Sequence, residues 1–258
     1  MPDKVTSKDG TIIAYERVGQ GPSLLVITGA FNDRSKGAPL AAALAGQFTV
    51  FSYDRRGRGD SGDTLPYAIG REVEDIAAML EAAGGSALVL GFSSGAVLAL
   101  YAAAAGLAID KLALMEAPLI ADAMRPGPPA DFVLHLKRLV DAGRRGDAVE
   151  SFQLDLVGIP RHHVEQMRNA PFRPGMEAMA HTLVYDATII GDMSIPQHIM
   201  SAVRVPTLVL DGNSAPWMRR TAETIAAGLA DGTHISIPEL GHEISPVLAP
   251  ILSNFFMG

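Results

Sequence analysis

Short apolar runs alternate with helically spaced apolar positions along the first half of the chain. The runs predict strands over 11–17, 23–28, 49–53, 87–91 and 111–115. Two of them, SLLVIT and ALVLGF, are continuously apolar, as expected of interior strands covered on both faces. Between them lie predicted helices over 38–45, 72–83 and 94–105. In the second of these, Val73, Ile76, Ala77 and Leu80 fall at i, i+3, i+4 and i+7, the spacing of one buried helix face. Such alternation predicts a sheet sandwiched between helices.

The pattern changes after Pro118. Between 118 and 204 no buried strand is evident. Helical stretches take over, the first opening at Asp131 with Phe132, Leu136, Leu139 and Val140 on one face, followed by stretches near 146–156, 160–168 and 175–189. Strand signals resume at 206–211 and 233–238, separated by a helix over about 215–229, and a helix over 245–256 closes the chain. The pattern therefore predicts an α/β core, 1–117 and 205–258, interrupted by a helical insertion over 118–204.

Residues 82–109 carry no charge and contain Gly91 and Gly95 at the spacing of packed membrane helices. A membrane span is nevertheless not expected. The segment holds Gly84-Gly85-Ser86, Ser93-Ser94 and an alanine run, and its flanks are Glu81 and Asp110, with no Lys or Arg anchor beside them. A buried strand followed by a buried helix fits better.

Composition narrows the chemistry. The 258 residues are 48% hydrophobic and 19% charged, in the range of a globular enzyme. With no cysteine, disulfide frameworks, thiolate metal sites and a thiol nucleophile are excluded. A formal net charge of -7 without a dominant basic cluster argues against a nucleic-acid partner. The opening MPDKVTSKDG is polar and lacks the apolar stretch of a secretory signal, so a cytoplasmic location is expected.

The strongest chemical signal is Gly91-Phe92-Ser93-Ser94-Gly95, a G-x-S-x-G between an apolar strand and an apolar helix. A reversal that tight needs glycine where a Cβ would clash, and it pushes the middle serine into an exposed, strained position above a helix N-terminus. Ser93 is the candidate nucleophile. It needs a base, and of seven histidines His242 alone sits just past the last predicted strand. C-terminal strand ends cluster along one edge of a parallel sheet, so this loop and the elbow can meet. His162 and His163 are adjacent on a predicted helix and read as solvated. His135, His181 and His198 lie in the insertion and read as packing or pocket lining. No histidine pair has metal-ligand context, and no cofactor is expected.

The GFSSG elbow, the late His242, the segment Tyr53-Asp54-Arg55-Arg56-Gly57-Arg58-Gly59-Asp60-Ser61 and the PTLVLDG strand together resemble the α/β-hydrolase fold superfamily over nearly the whole chain. The resemblance implies a mostly parallel eight-stranded sheet flanked by helices, with the insertion as a cap after the sixth strand. It makes Asp54 to Ser61 a structural turn, so Arg58-Gly59-Asp60 reads as a chance match to an adhesion tripeptide. It also implies oxyanion donors at the backbone N–H of Ser94 and of Ala30, with Phe31 as an alternative to the latter. Many members carry His-Gly where this chain has Thr28-Gly29, a mild departure because the donor is backbone.

The acid departs further. Relatives place an Asp three residues beyond the glycine that follows the seventh strand; here Gly212-Asn213-Ser214-Ala215 offers alanine. Glu116, closing the strand after the elbow, is the better candidate, and some haloalkane dehalogenases resemble this arrangement. Asp211 is the alternative, and absence of a functional acid stays open. The order Ser93, Glu116, His242 keeps the superfamily's nucleophile, acid, base. Dehalogenases and epoxide hydrolases of this fold attack with aspartate, so Ser93 excludes both reactions.

The cap carries Met124, Met167, Met176, Met179, Met193 and Met200, flexible side chains suited to packing or to an adaptable apolar pocket. It is nearly neutral, which disfavours a polyanionic substrate. Phe31, Phe132, Met176, Met179, Tyr185 and Trp217 are the candidate pocket lining. The expected function is a serine hydrolase cleaving an ester, lactone or thioester of a medium-sized, mainly apolar small molecule. The alternatives are a lyase or cyclase acting on a secondary metabolite in the same pocket, or a ligand-binding member without turnover. No membrane or nucleic-acid partner is expected, and the oligomeric state, monomer or homodimer, stays open.

Overall fold

The computed structural model describes residues 1–121 and 125–258; Met124 therefore lies outside the described residues. The strands are β1 (Asp3–Thr6), β2 (Ile12–Gly19), β3 (Ser23–Ile27), β4 (Thr49–Tyr53), β5 (Ala87–Phe92), β6 (Ile109–Met115), β7 (Thr207–Asp211) and β8 (Gly232–Ser236). They form one eight-stranded sheet in the order β1-β2-β4-β3-β5-β6-β7-β8. Pairing is antiparallel for β1 with β2 and β2 with β4, and parallel throughout the rest. The interior strands β5 and β7 are buried at every position, which is why their sequences show no polar alternation.

Flanking the sheet are α1 (Ala38–Leu44), α2 (Ile69–Ala82), α3 (Ser94–Ala104), α10 (Pro216–Gly228) and α11 (Ala249–Met257). Between β6 and β7 come α4 (Phe132–Asp141), α5 (Arg145–Ser151), α6 (Arg161–Met167), α7 (Arg173–Ala178), α8 (Leu183–Ile190) and α9 (Gln197–Met200). One apolar cluster covers the face packed by α2, α3 and α10, with Ile76, Leu100 and Ile225 at its centre. The opposite face is covered by Leu40, Leu44, Phe48, Leu252 and Phe256. The β6–β7 helices hold their own cluster, including Phe132, Leu136, Phe152 and Leu183. α3 carries alanine at four of its nine buried positions, and such short side chains let α2, α8 and α9 all pack against it.

The uncharged stretch 82–109 divides into β5 and α3, and no helix among the described residues is long and apolar enough to cross a membrane. Elsewhere the boundaries move. The predicted helix over 175–189 breaks into α7, a 3-10 turn at Ala180–Thr182 and α8. The one over 146–156 becomes α5 plus a π-helical turn, Phe152–Val157, which Gly158 ends with a φ of 84°. β1 escaped prediction: DKVT is largely exposed and its ladder partner is on one side only.

Candidate active site

β3, β5 and β6 are parallel neighbours, with Ile27 opposite Gly91 and Phe92 opposite Met115. The residues that leave these strands, Gly29, Ser93 and Glu116, therefore emerge side by side at one edge of the sheet. Ser93 turns the chain from β5 into α3 with φ 55° and ψ −126°. A non-glycine residue in that region costs on the order of 1–3 kcal/mol and persists only where its surroundings enforce it. Here Ser93 N–H donates to the Met115 carbonyl at 2.9 Å and Ala96 N–H to the Ser93 carbonyl at 2.8 Å. The flanking glycines are sterically required. A Cβ on Gly91 would lie 2.7 Å from Ala96 Cα, and one on Gly95 would lie 2.7 Å from the Thr28 carbonyl oxygen.

His242 reaches this bend from beyond β8. Its Nε2 lies 3.1 Å from Ser93 Oγ, and its Nδ1 lies 2.7 Å from Glu116 Oε2. Phe92 packs against the ring with centroids 4.7 Å apart. The imidazole is 42% exposed, whereas the Glu116 side chain is fully buried.

Glu116 is the second strained residue, at φ 52°, and its backbone N–H still donates to the Leu210 carbonyl of β7 at 2.9 Å. A buried carboxylate needs hydrogen-bond partners. Gly212 N–H donates to Oε1 at 2.8 Å, and the Ser214 hydroxyl donates to Oε2. Burial pushes the Glu116 carboxyl up, but the hydrogen bonds from His242, Ser214 and Gly212 outweigh it and hold the group below its ordinary value. The loop after β7, where Ala215 replaces the expected Asp, thus supplies Gly212 and Ser214 as supports for the carboxylate arriving from β6.

Asp211 is occupied elsewhere. Its Oδ1 lies 2.5 Å from His234 Nε2, and the Ser236 hydroxyl is 2.8 and 2.9 Å from its two oxygens. Of the two carboxylates that the sequence leaves open, only Glu116 contacts His242.

The loop after β3 lies directly against the serine. A Cβ on Gly29 would sit 2.7 Å from Ser93 Cβ and 3.2 Å from its Oγ, so only glycine permits this approach. The backbone N–H groups of Ala30 and Ser94 have no hydrogen-bond partner among the described residues. Phe31 follows at φ 60°, a further strained position. Thr28 is buried and its hydroxyl has no partner among the described residues.

Behind this loop is a buried ion cluster that sequence reasoning missed. Arg55 pairs with Glu72 and with Asp186, and Arg58 with Asp186, at 2.7 to 2.8 Å. All four side chains are at most 2% exposed. Burial raises the Asp186 carboxyl, but the charges of Arg58 and Arg55 overcome that and hold it ionised. The sequence did carry a signal, an aspartate within the apolar run LVYDATII. Nothing in the spacing tied it to arginines more than 120 positions earlier. The adhesion-tripeptide match is inert: Arg58 is 2% exposed.

Phe31 packs edge-on to Phe152 at 5.4 Å. Phe31, Met176 and Trp217 are partly buried against the cluster of the β6–β7 helices, and Phe132 lies inside it. Met179 caps α7. Tyr185 stacks on Tyr67 at 3.9 Å and donates to Asp63 at 2.7 Å, so its ring and hydroxyl are both engaged by the segment between β4 and α2. His135, His162, His163 and His198 are exposed and His181 is half-buried. Among the described residues no group of three or more His, Asp or Glu is arranged to hold a metal ion.

The sheet order, the elbow and the side chains around it define an α/β-hydrolase architecture. A sequence model of the alpha/beta hydrolase family matches residues 24–252, and the chain belongs to that family. It is similar to an alpha/beta hydrolase from Sphaerobacter thermophilus, with 49% identity over 98% of this chain and 100% of that one and a TM-score of 0.93. A thermophilic esterase from Thermogutta terrifontis is 21% identical over 100% of this chain and 98% of its own, with a TM-score of 0.72. An enol-lactonase from Burkholderia xenovorans is 20% identical over 99% and 100%, with a TM-score of 0.70. At those last two identities the likeness is one of fold.

Proposed function

We propose that the protein is a serine hydrolase that opens an ester, lactone or thioester bond in a medium-sized, mainly apolar small molecule. The observation that carries this reading is the hydrogen-bonded line from Ser93 Oγ through His242 to Glu116. A serine hydroxyl is a weak nucleophile, and an adjacent base remedies that. His242 takes the proton as Ser93 attacks the carbonyl and returns it to the leaving group. Glu116 fixes the tautomer with the proton on Nδ1 and stabilises the imidazolium, without itself becoming protonated.

The N–H groups of Ala30 and Ser94 receive the oxyanion, each worth roughly 3–4 kcal/mol of transition-state stabilisation. Water then releases the acyl group by the same steps in reverse order. The β6–β7 helices act as a cap, and the aromatic and thioether side chains of Phe31, Trp217 and Met176 favour an apolar substrate. The names of the fold relatives, an esterase and an enol-lactonase, agree with acyl–oxygen chemistry.

Turnover of p-nitrophenyl butyrate and of a panel of lactones by the intact chain and by Ser93→Ala tests the reading. Hydrolysis by the parent and none by the variant is expected. A folded Ser93→Ala protein that keeps its turnover overturns it.

A further inference from the structure

We propose that Asp186 and Arg58 form a positioning pair for the oxyanion hole, by which a helix of the cap sets the direction of the backbone donors beside Ser93. This rests on the serine-hydrolase reading for the role of those donors. The observations concern the loop 29–32, which belongs to no strand or helix and contains Phe31 at φ 60°. Left alone, such a loop would relax. Arg58 prevents it from behind: one guanidinium nitrogen, Nη1, donates to the Gly29 carbonyl at 2.5 Å and to the Asn32 carbonyl at 3.1 Å.

The peptide between Gly29 and Ala30 is planar, so its C=O and N–H point in opposite directions. Holding the Gly29 oxygen toward the buried guanidinium turns the Ala30 N–H the other way, and Gly29 itself is against Ser93. The second arm runs to Ser94. Its hydroxyl donates to Asp186 Oδ1 at 2.7 Å, while Arg58 Nη2 donates to Oδ2 of the same carboxylate at 2.7 Å. A single side chain of α8 therefore holds the Ser94 segment directly and the 29–32 loop through Arg58.

A simpler structural role, burying charge beneath the cap, would be served equally by Arg55 with Glu72 and Asp186. It does not account for a guanidinium that spans two loop carbonyls. Lysine cannot substitute, since one ammonium lacks the planar fork needed to hold the carbonyls and the carboxylate together.

The test compares the intact chain with Arg58→Met, Arg58→Lys and the double variant Arg58→Met/Asp186→Asn. Arg58→Met alone leaves the buried cluster with one excess anion; the double variant restores its balance and serves if the single variant does not fold. Kinetics on p-nitrophenyl butyrate are expected to show kcat lower by about 100-fold in both Met proteins, with KM within about threefold, the pattern of a lost oxyanion donor. Arg58→Lys should fall between, at about tenfold. Crystal structures of the variants are expected to show the Gly29–Ala30 peptide rotated or split between orientations. A folded double variant with kcat within threefold of the parent, or with that peptide unmoved, overturns the proposal. If the parent neither hydrolyses esters nor reacts with a fluorophosphonate at Ser93, the hydrolase reading fails, and peptide orientation alone decides whether Arg58 is the clamp.

Discussion

Glu116 Oε2 lies 2.7 Å from His242 Nδ1, joining the end of β6 to the loop beyond β8. The carboxylate one strand further along, on Asp211, faces His234 and Ser236 instead. Met115 and Leu210 are register partners, so Glu116 and Asp211 end adjacent strands at the same level. What separates them is backbone direction. Asp211 continues its strand and follows the pleat toward β8, whereas Glu116 breaks it at φ 52° and turns toward the serine side.

This contrast sets the first expectation. Glu116→Gln keeps the shape but loses the charge that favours the imidazolium, and kcat should fall by about 10³–10⁴-fold. Asp211→Asn should leave kcat within about threefold and cost on the order of 1–3 kcal/mol of stability, through its bonds to His234 and Ser236. Steady-state kinetics and urea unfolding on the same preparations separate the two. The reverse pattern would transfer the acid role to Asp211.

Glu116 also makes stability depend on acid. Its carboxyl is held below its ordinary value when folded, so the unfolded chain binds its proton at a higher pH than the folded one does. The stability it contributes is complete above the unfolded value, near 4.5, and is lost as pH falls through the folded one. Urea midpoints measured downward from pH 6 should therefore decline less steeply for Glu116→Gln than for the parent. Parallel curves would mean that Glu116 gains nothing from its partners.

Gly29→Ala tests the approach of the loop to the serine. The added Cβ would fall 2.7 Å from Ser93 Cβ, so the loop, the serine or both must shift by several tenths of an ångström. Misplacement by about 1 Å costs about 10²-fold in rate, so a shift approaching that should lower kcat by at least about tenfold. Because Gly29 has an ordinary φ and is absent from the left-handed positions, the backbone itself tolerates alanine. The thermal midpoint should move by only a few degrees while kcat collapses. A variant of unchanged kcat would place the productive oxyanion site elsewhere.

How much of this was legible in the sequence differs by scale. The strands of the centre announced themselves because burial on both faces leaves runs such as ALVLGF without polar interruption. The elbow was legible because its glycines, its serine and its neighbouring elements are contiguous. Glu116 could be named, but its preference over Asp211 could not be settled, since the positive φ that turns it is written in no local pattern.

The supports from Gly212 and Ser214 were invisible for the same reason: they lie 96 and 98 positions from the carboxylate they bind. The ion cluster was hidden more deeply. The sequence marks the three arginines after Asp54 only as part of a structural turn, and it is the fold that buries them with Glu72, Asp75 and Asp186. The helices between β6 and β7 were placed in outline, but their breaks at Gly158 and around Ala180–Thr182 depend on how the segment folds over the sheet.

The most direct test of the central claim is intact-mass analysis after treatment with a fluorophosphonate, followed by peptide mapping. The expected result is one phosphonyl group per chain, located on Ser93, formed at a rate that falls sharply in Glu116→Gln and absent from Ser93→Ala. A folded parent that takes no label, or takes it on another residue at the same rate in all three proteins, would contradict the assignment of Ser93 as the nucleophile.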